Sequence, residues 1–223
     1  MIISPYEELA ALFGEYGLEI SSEQYALLEK YISLLLETNR TMNLTRITEP
    51  GEIAIKHILD SALLMKYIDI PEKAADVGTG AGFPGMVLKI LSPECDMALI
   101  DSLNKRIEFL KAVSAETVPV NCVHIRAEEA GRTMREQFAL VTARAVAAFD
   151  VLCEYCLPLT CVGGIFAAYK GPGEEIDISA AEKFGGKVKD IHECTLPDGS
   201  VRKIIITEKL TPTDKKYPRR KIK

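Results

Sequence analysis

Ten residues, Asp76–Gly85 (DVGTGAGFPG), constrain this chain more than any others. The run Lys73-Ala74-Ala75-Asp76-Val77 leading into them is short, apolar and bounded by Pro71, which suits a buried strand rather than a surface helix. Gly78, Gly80 and Gly82 then permit positive φ and a close backbone approach to a ligand, and Pro84 presets φ for the first turn of a helix. A strand, a glycine turn and a helix N-terminus in this order make a nucleotide site in an α/β fold.

Two ligands compete for that site. Gly80, Gly82 and Gly85 satisfy G-x-G-x-x-G, and Asp101 follows about 20 residues on, as a dinucleotide fingerprint requires. The register favours another ligand. Asp76 stands just ahead of Gly78-Thr79-Gly80, which puts a carboxylate where a dinucleotide would bring its pyrophosphate. A carboxylate suits instead the cationic amino-acid head of S-adenosylmethionine, which carries an ammonium and a sulfonium and no phosphate. Acid-x-Gly-x-Gly resembles the first motif of Rossmann-like methyltransferases.

The chain has 223 residues, 48% apolar and 26% charged, enough for one sizeable core and a small appendage. No window reaches the roughly 18 apolar residues of a membrane span, and the start MIISPYEELAALF is not a signal peptide, so a soluble cytoplasmic protein is expected. The six cysteines do not form a secreted disulfide framework, and Cys153-Glu154-Tyr155-Cys156 has no second pair to complete a metal site. No metal is expected.

Residues 5–67 read as helical: Leu9, Leu12 and Phe13, then Tyr25, Leu28, Ile32, Leu35 and Leu36, recur at helical spacing, and Ser21 with Gln24 can form a capping box. A third helix from Pro50 to about Tyr67 places His57 and Asp60 on or near one face, with Ser61 beside them. Downstream, strands are expected at Asp96–Asp101, 120–125, Phe138–Arg144 and 164–169, with helices between, and Pro197-Asp198-Gly199 marks a hairpin joining 187–195 to 201–209. Asp101 ends its strand where a ribose diol would need a carboxylate, and Arg144 reaches the same edge, where its fork suits a phosphate or a carboxylate. A mostly parallel sheet of seven strands with a terminal antiparallel hairpin is the methyltransferase topology. The expected units are a helical cap (1–70), a methyltransferase domain (71–209) and a basic tail (210–223).

The net charge of −5 conceals that tail. Between Lys209 and Lys223 there are seven basic residues and one acid, a local charge of +6 that leaves −11 on the remainder. A basic tail on an acidic body points to a polyanionic partner.

DVGTGAGFPG, with KHILDS before it, RAEE and TARAVA after it, Lys170-Gly171 and the terminal TPTDKKYPRR, resembles the bacterial 16S rRNA guanine-N7 methyltransferase family, also called glucose-inhibited division protein B. The similarity spans nearly the whole chain. It implies a monomeric cytoplasmic enzyme that uses S-adenosylmethionine to methylate N7 of a guanine in the 530 loop of 16S rRNA, on naked RNA or the 30S subunit, with no DNA substrate. It also implies that Gly78 and Phe83 line the cofactor, that Asp101, Ser102 and Leu103 lie at the ribose, and that Ala127 and Glu128 lie by the adenine, with Arg144 completing the site. Asp76 and Gly80 join these on the motif reading above. His57, Asp60 and Ser61 match the family's helix motif as candidates for substrate positioning, together with Arg144. Lys170, Lys215, Lys216, Arg219 and Arg220 are the candidate RNA contacts. Family members continue after YPRR with a glycine- and proline-containing segment, where this sequence has Lys221-Ile222-Lys223, a departure that bears on RNA docking rather than on the cofactor.

N7 of guanine carries a free lone pair, so its methylation needs no general base. The sequence agrees: it has no Asn/Asp-Pro-Pro-aromatic stretch for exocyclic amines and no Pro-Cys pair for pyrimidine C5. A methyltransferase for another substrate, an NAD-dependent oxidoreductase and a non-enzymatic RNA-binding module are the alternatives.

Overall fold

The computed structural model describes residues 3–173 and 176–219. Seven strands form one sheet in the order β3-β2-β1-β4-β5-β7-β6. They are β1 (Lys73–Val77), β2 (Asp96–Asp101), β3 (Asn121–His124), β4 (Phe138–Arg144), β5 (Thr160–Lys170), β6 (Gly186–Thr195) and β7 (Val201–Lys209). The first five are parallel, and β7 runs antiparallel between β5 and β6. Strand order reverses between β1 and β4, so their C-terminal ends border the crevice where open α/β sheets bind ligands. The expected hairpin is present. Gly199 takes φ 80° at its tip, and Asp198 Oδ1 accepts from the Ser200 N–H.

Alternation along each strand divides the molecule into two layers. Ala74, Leu99, Leu140, Tyr169, Ile204 and Ile206 face one core, shared with the N-terminal helices and with helices Gly85–Leu91 and Asn104–Glu116. Ala75, Val77, Val141, Phe166 and Ile205 face the other, against helix Phe149–Cys156 and the 3-10 turn Ile178–Phe184. Leu28, Tyr31, Ile32 and Leu35 belong to the same cluster as Leu88 and Leu110, so the N-terminal helices share a continuous core with the sheet domain.

Helix Ser22–Met42 starts at the expected capping box, with Gln24 N–H donating to Ser21 Oγ and Ser21 N–H to Gln24 Oε1, and it stops at Asn43 in the left-handed region. The third N-terminal helix departs from a regular spiral. After Pro50–Ile53 it widens into a π-helical segment, Ala54–Leu59, returns to α over Asp60–Ala62 and tightens to 3-10 over Leu63–Lys66. Such widened turns are frequent at functional sites. Here the turn carries His57 and delivers Asp60 beside the sheet edge.

Candidate active site

The glycine turn is clamped from below. Gly78 and Thr79 N–H groups both donate to the Ile100 carbonyl, while Gly78, Gly80 and Gly82 take φ of 68°, 62° and 110°. A Cβ on Gly82 would lie 2.7 Å from Tyr31 Oη, which itself donates to the Ala81 carbonyl at 2.6 Å. The N-terminal helices thus hold the loop directly.

Asp76 does not present its carboxylate to a ligand. It is 0% exposed, its Oδ1 accepting from Thr142 Oγ1 (2.8 Å) and its Oδ2 from the Gly85 N–H (3.0 Å) at the start of the following helix. Burial raises its pKa to about 6. The sequence reading gave Asp76 a cofactor-facing role; alternation instead puts it on the same face as Ala74, directly beneath the helix N-terminus, where it ties β1 to the loop.

Asp101 does reach the crevice. Gly78, Asp101, Ser102, Ala127 and Glu128, all named from sequence, line one cleft of about 290 Å³ together with Val77, Ile100, Ile125 and Tyr155. Asp101 Oδ2 accepts from the Gly80 N–H (3.0 Å) and Arg106 Nη1 (3.1 Å), and Oδ1 from the Leu103 N–H (2.9 Å). Carboxylate oxygens offer about four acceptor positions, so a diol can exchange with the half-exposed Arg106 while the two backbone bonds persist. Glu128 is paired with Arg126 at 3.4 Å. The donor set fits an adenosine: a strand-end acid for sugar hydroxyls, apolar Ile100 and Ile125, and a Gly80 whose missing Cβ would meet nothing nearer than Gly78 O at 3.9 Å.

A second ensemble lies beside the first. His57 stacks on Phe83 (centroids 4.2 Å apart, 11° between planes), and the Arg144 guanidinium lies 5.3 Å from the same ring. His57 Nε2 bonds Thr45 Oγ1 at 2.9 Å, and its Nδ1 has no partner among the described residues. Burial, then the charge of Arg144, lowers its pKa to about 3, so the ring is neutral at physiological pH. Arg144 Nη1 donates to Asp60 Oδ2 (2.8 Å) and the Lys56 carbonyl (3.1 Å), and Arg202 Nε donates to Asp60 Oδ1 (2.6 Å). Ser61 Oγ donates to the His57 carbonyl and Tyr169 Oη to the Ser61 carbonyl, so Ser61 is spent on the helix itself.

The model of the family described as GidB, rRNA small subunit methyltransferase G, matches residues 24–197. The chain is 44% identical to the Ribosomal RNA small subunit methyltransferase G of Moorella thermoacetica, over 95% of this chain and 93% of that protein. It is 48% identical to the protein of that name from Alkaliphilus metalliredigens, over 92% and 91%. The chain belongs to the GidB family. Among solved structures, it resembles a 16S rRNA (adenine(1408)-N(1))-methyltransferase from Catenulisporales acidiphilia (TM-score 0.54, 14% identity, 65% of this chain and 88% of that one). It also resembles TrmN from Thermus thermophilus (TM-score 0.52, 15% identity, 74% and 55%). At these identities the likeness shows the fold, the methyltransferase sheet.

Phe83, Leu103 and Arg144 of this GidB protein border the cleft's neighbourhood through the stack and the Asp101 contacts rather than lining the cleft, which Arg106, Arg126, Ala145, Val146 and Tyr155 line instead. Of the expected RNA contacts, Lys170 is only 5% exposed and donates to the Ala147 carbonyl, a structural tie between the end of β5 and the segment after β4. Lys215 and Lys216 are exposed, and Arg219 is held by Glu154 through three hydrogen bonds. Arg220 lies outside the described residues. Arg135, which follows helix Ala127–Thr133 at the N-terminal edge of β4, donates to the Thr213, Asp214 and Tyr217 carbonyls. Lys215 and Lys216 therefore sit at the edge of the sheet opposite Asp101 and Arg144. Arg202 was not anticipated; the signal was its alternation with Ile204 and Ile206 toward the cap-side core.

Proposed function

We propose that this protein transfers a methyl group to N7 of a guanine in the 530 loop of 16S rRNA, working as a cytoplasmic monomer on the 30S subunit or its RNA. Membership of the GidB family makes it an S-adenosylmethionine-dependent rRNA methyltransferase. No described helix is long and apolar enough to cross a membrane, and all six cysteines are free thiols, which supports the compartment.

The observation that carries N7 as the target is the state of the acids and of His57. Asp76, Asp101, Glu128 and Asp60 all already accept hydrogen bonds within the protein, and His57, whose Nδ1 has no partner among the described residues, is a weak base with its pKa lowered to about 3 by burial. No side chain among these is poised to remove a proton from a nucleophile. N7 of guanine has none to remove.

When bound, S-adenosylmethionine supplies an electrophilic methyl on a sulfonium. The chain's residues do the rest by position. Asp101 would hold the sugar hydroxyls, Ala127 and Glu128 would border the adenine end, and the opened backbone at Gly78 and Gly80 would allow close approach. Phe83, fixed by His57 and Tyr31, walls the loop side. Proximity of this kind supplies several orders of magnitude when the reacting atoms are held in line and water is excluded.

Small subunits from cells lacking the modification, incubated with labelled cofactor and digested to nucleosides, should yield 7-methylguanosine by mass spectrometry, mapped to the 530 loop. Label in any other nucleoside would remove the N7 assignment, and label at a guanine elsewhere would remove the loop.

A further inference from the structure

Two guanidinium groups from distant strands converge on one buried carboxylate. Arg144 at the end of β4 and Arg202 at the start of β7 each take one oxygen of Asp60, which is 1% exposed. One positive charge is left over. Beside this triad, Lys56 pairs with Glu52 (2.5 Å) and lies 3.6 Å from Asp198, and Lys203 lies 3.9 Å from Glu193, so these two lysines face three carboxylates and the excess positive charge belongs to the Asp60 triad itself.

The surplus is presented chiefly by Arg202. Its side chain is 21% exposed against 13% for Arg144, and only its Nε is engaged, leaving both terminal nitrogens without a partner among the described residues. Nη1 stands 4.0 Å from where a Gly171 Cβ would be, an ordinary contact distance that sets the fork beside the end of β5. Asp60 fixes the orientation of the planar group, which lowers the entropy lost when it binds an oxyanion. The fork thus lies beside the end of β5, at the same edge of the sheet as Arg144, whereas Lys215 and Lys216 occupy the opposite edge.

We propose that Arg202 binds a phosphodiester of the RNA strand next to the target nucleotide and is a positioning residue for it. This rests on the function proposed above. A phosphate is favoured over the base because methylation at N7 leaves a positive charge on the guanine, which an adjacent guanidinium would disfavour, while bidentate donation matches phosphate oxygens.

The test uses the full chain with S-adenosylhomocysteine bound, and measures equilibrium binding of small-subunit RNA across a salt series, without turnover. Arg202→Gln should weaken RNA binding roughly tenfold and reduce the slope of log affinity against log salt by about 0.7–0.9, the loss of one phosphate contact. Arg202→Lys should restore the slope but only part of the affinity, and S-adenosylhomocysteine affinity should stay at the parental value for both. Parental slope and affinity in Arg202→Gln, or a fall in cofactor affinity as large as the fall in RNA affinity, would overturn the assignment. If the Gln variant does not fold, the Lys variant decides: several-fold weaker RNA binding is expected, and parental binding overturns it. A parental protein that binds RNA but labels no small-subunit guanine would sink the N7 reading, and it would be seen separately from the slope.

Discussion

Asp76 and Asp101 are acids on adjacent strands, both close to the glycine turn, yet they face different surroundings. Asp101 closes β2 and opens into the cleft; Asp76 is one residue short of the end of β1 and turns inward to Thr142 and the Gly85 N–H. Its pKa, raised to about 6 by burial, makes it a source of pH dependence. The neutral form is the one the folded state favours, so the contribution is full below the ordinary carboxylate value and is lost as pH rises through about 6. Asp76→Asn keeps an acceptor for Gly85 and removes the titration. Relative to the parent, it should gain about 2 kcal/mol of stability between about pH 4.5 and pH 7.5, read from urea unfolding at each pH. Stability curves that run parallel would show that Asp76 is ionised throughout. Motif spacing could place both acids near the loop; the period of two in β1, with Ala75 and Val77 on the opposite core, was the available signal for which way Asp76 points.

The third N-terminal helix shows what periodicity reads well and what it misses. Its extent was legible from Pro50 onward, as was the capping box that starts its predecessor, because both are set by residues within one turn. The π-helical segment was not, since the partners of Lys56 and Asp60 lie 84 to 142 residues away in Arg144 and Arg202. Its yield is the His57–Phe83 stack, which couples the helix to the glycine loop. Removing it with His57→Ala should weaken S-adenosylhomocysteine binding by about 0.5–1.5 kcal/mol, the worth of an aromatic pair, and His57→Phe should restore most of that. Because burial holds the His57 pKa near 3, the parent and His57→Phe should share one pH dependence of affinity between about pH 5.5 and 8, any inflection near 6 belonging to Asp76. Calorimetry that finds the Phe variant as weak as the Ala variant, or a parental inflection near 6.5 that the Phe variant lacks, would separate His57 from this role.

At the scale of the whole molecule, charge along the sequence announced a basic tail but not its place. That place follows from topology: β7 runs antiparallel to β5, so the chain leaves the sheet at the edge opposite the cleft. There the tail is fastened. Buried Lys209 donates to the Leu157 carbonyl and Thr213 Oγ1, and burial lowers its pKa to about 8. Arg135 gathers three tail carbonyls, Arg132 donates to the Pro218 carbonyl, Tyr217 packs edge-on to Phe184, and Arg219 pairs with Glu154. Four of the tail's charges, Lys215, Lys216, Arg219 and Arg220, suggest a nucleic-acid contact; in the described residues much of the segment clamps the layer opposite the cap. Removing residues 215–223 strips the Tyr217 packing and leaves the half-buried Arg135 and the buried Glu154 short of partners. It should cost about 2–4 kcal/mol of unfolding free energy at neutral pH while S-adenosylhomocysteine affinity is retained. Parental stability in the truncated protein, combined with a flattened salt dependence of RNA binding, would return the tail to the role its charge alone suggests. A loss of stability with the parental salt slope would leave the substrate edge, with Arg202 on it, as the surface that meets the RNA.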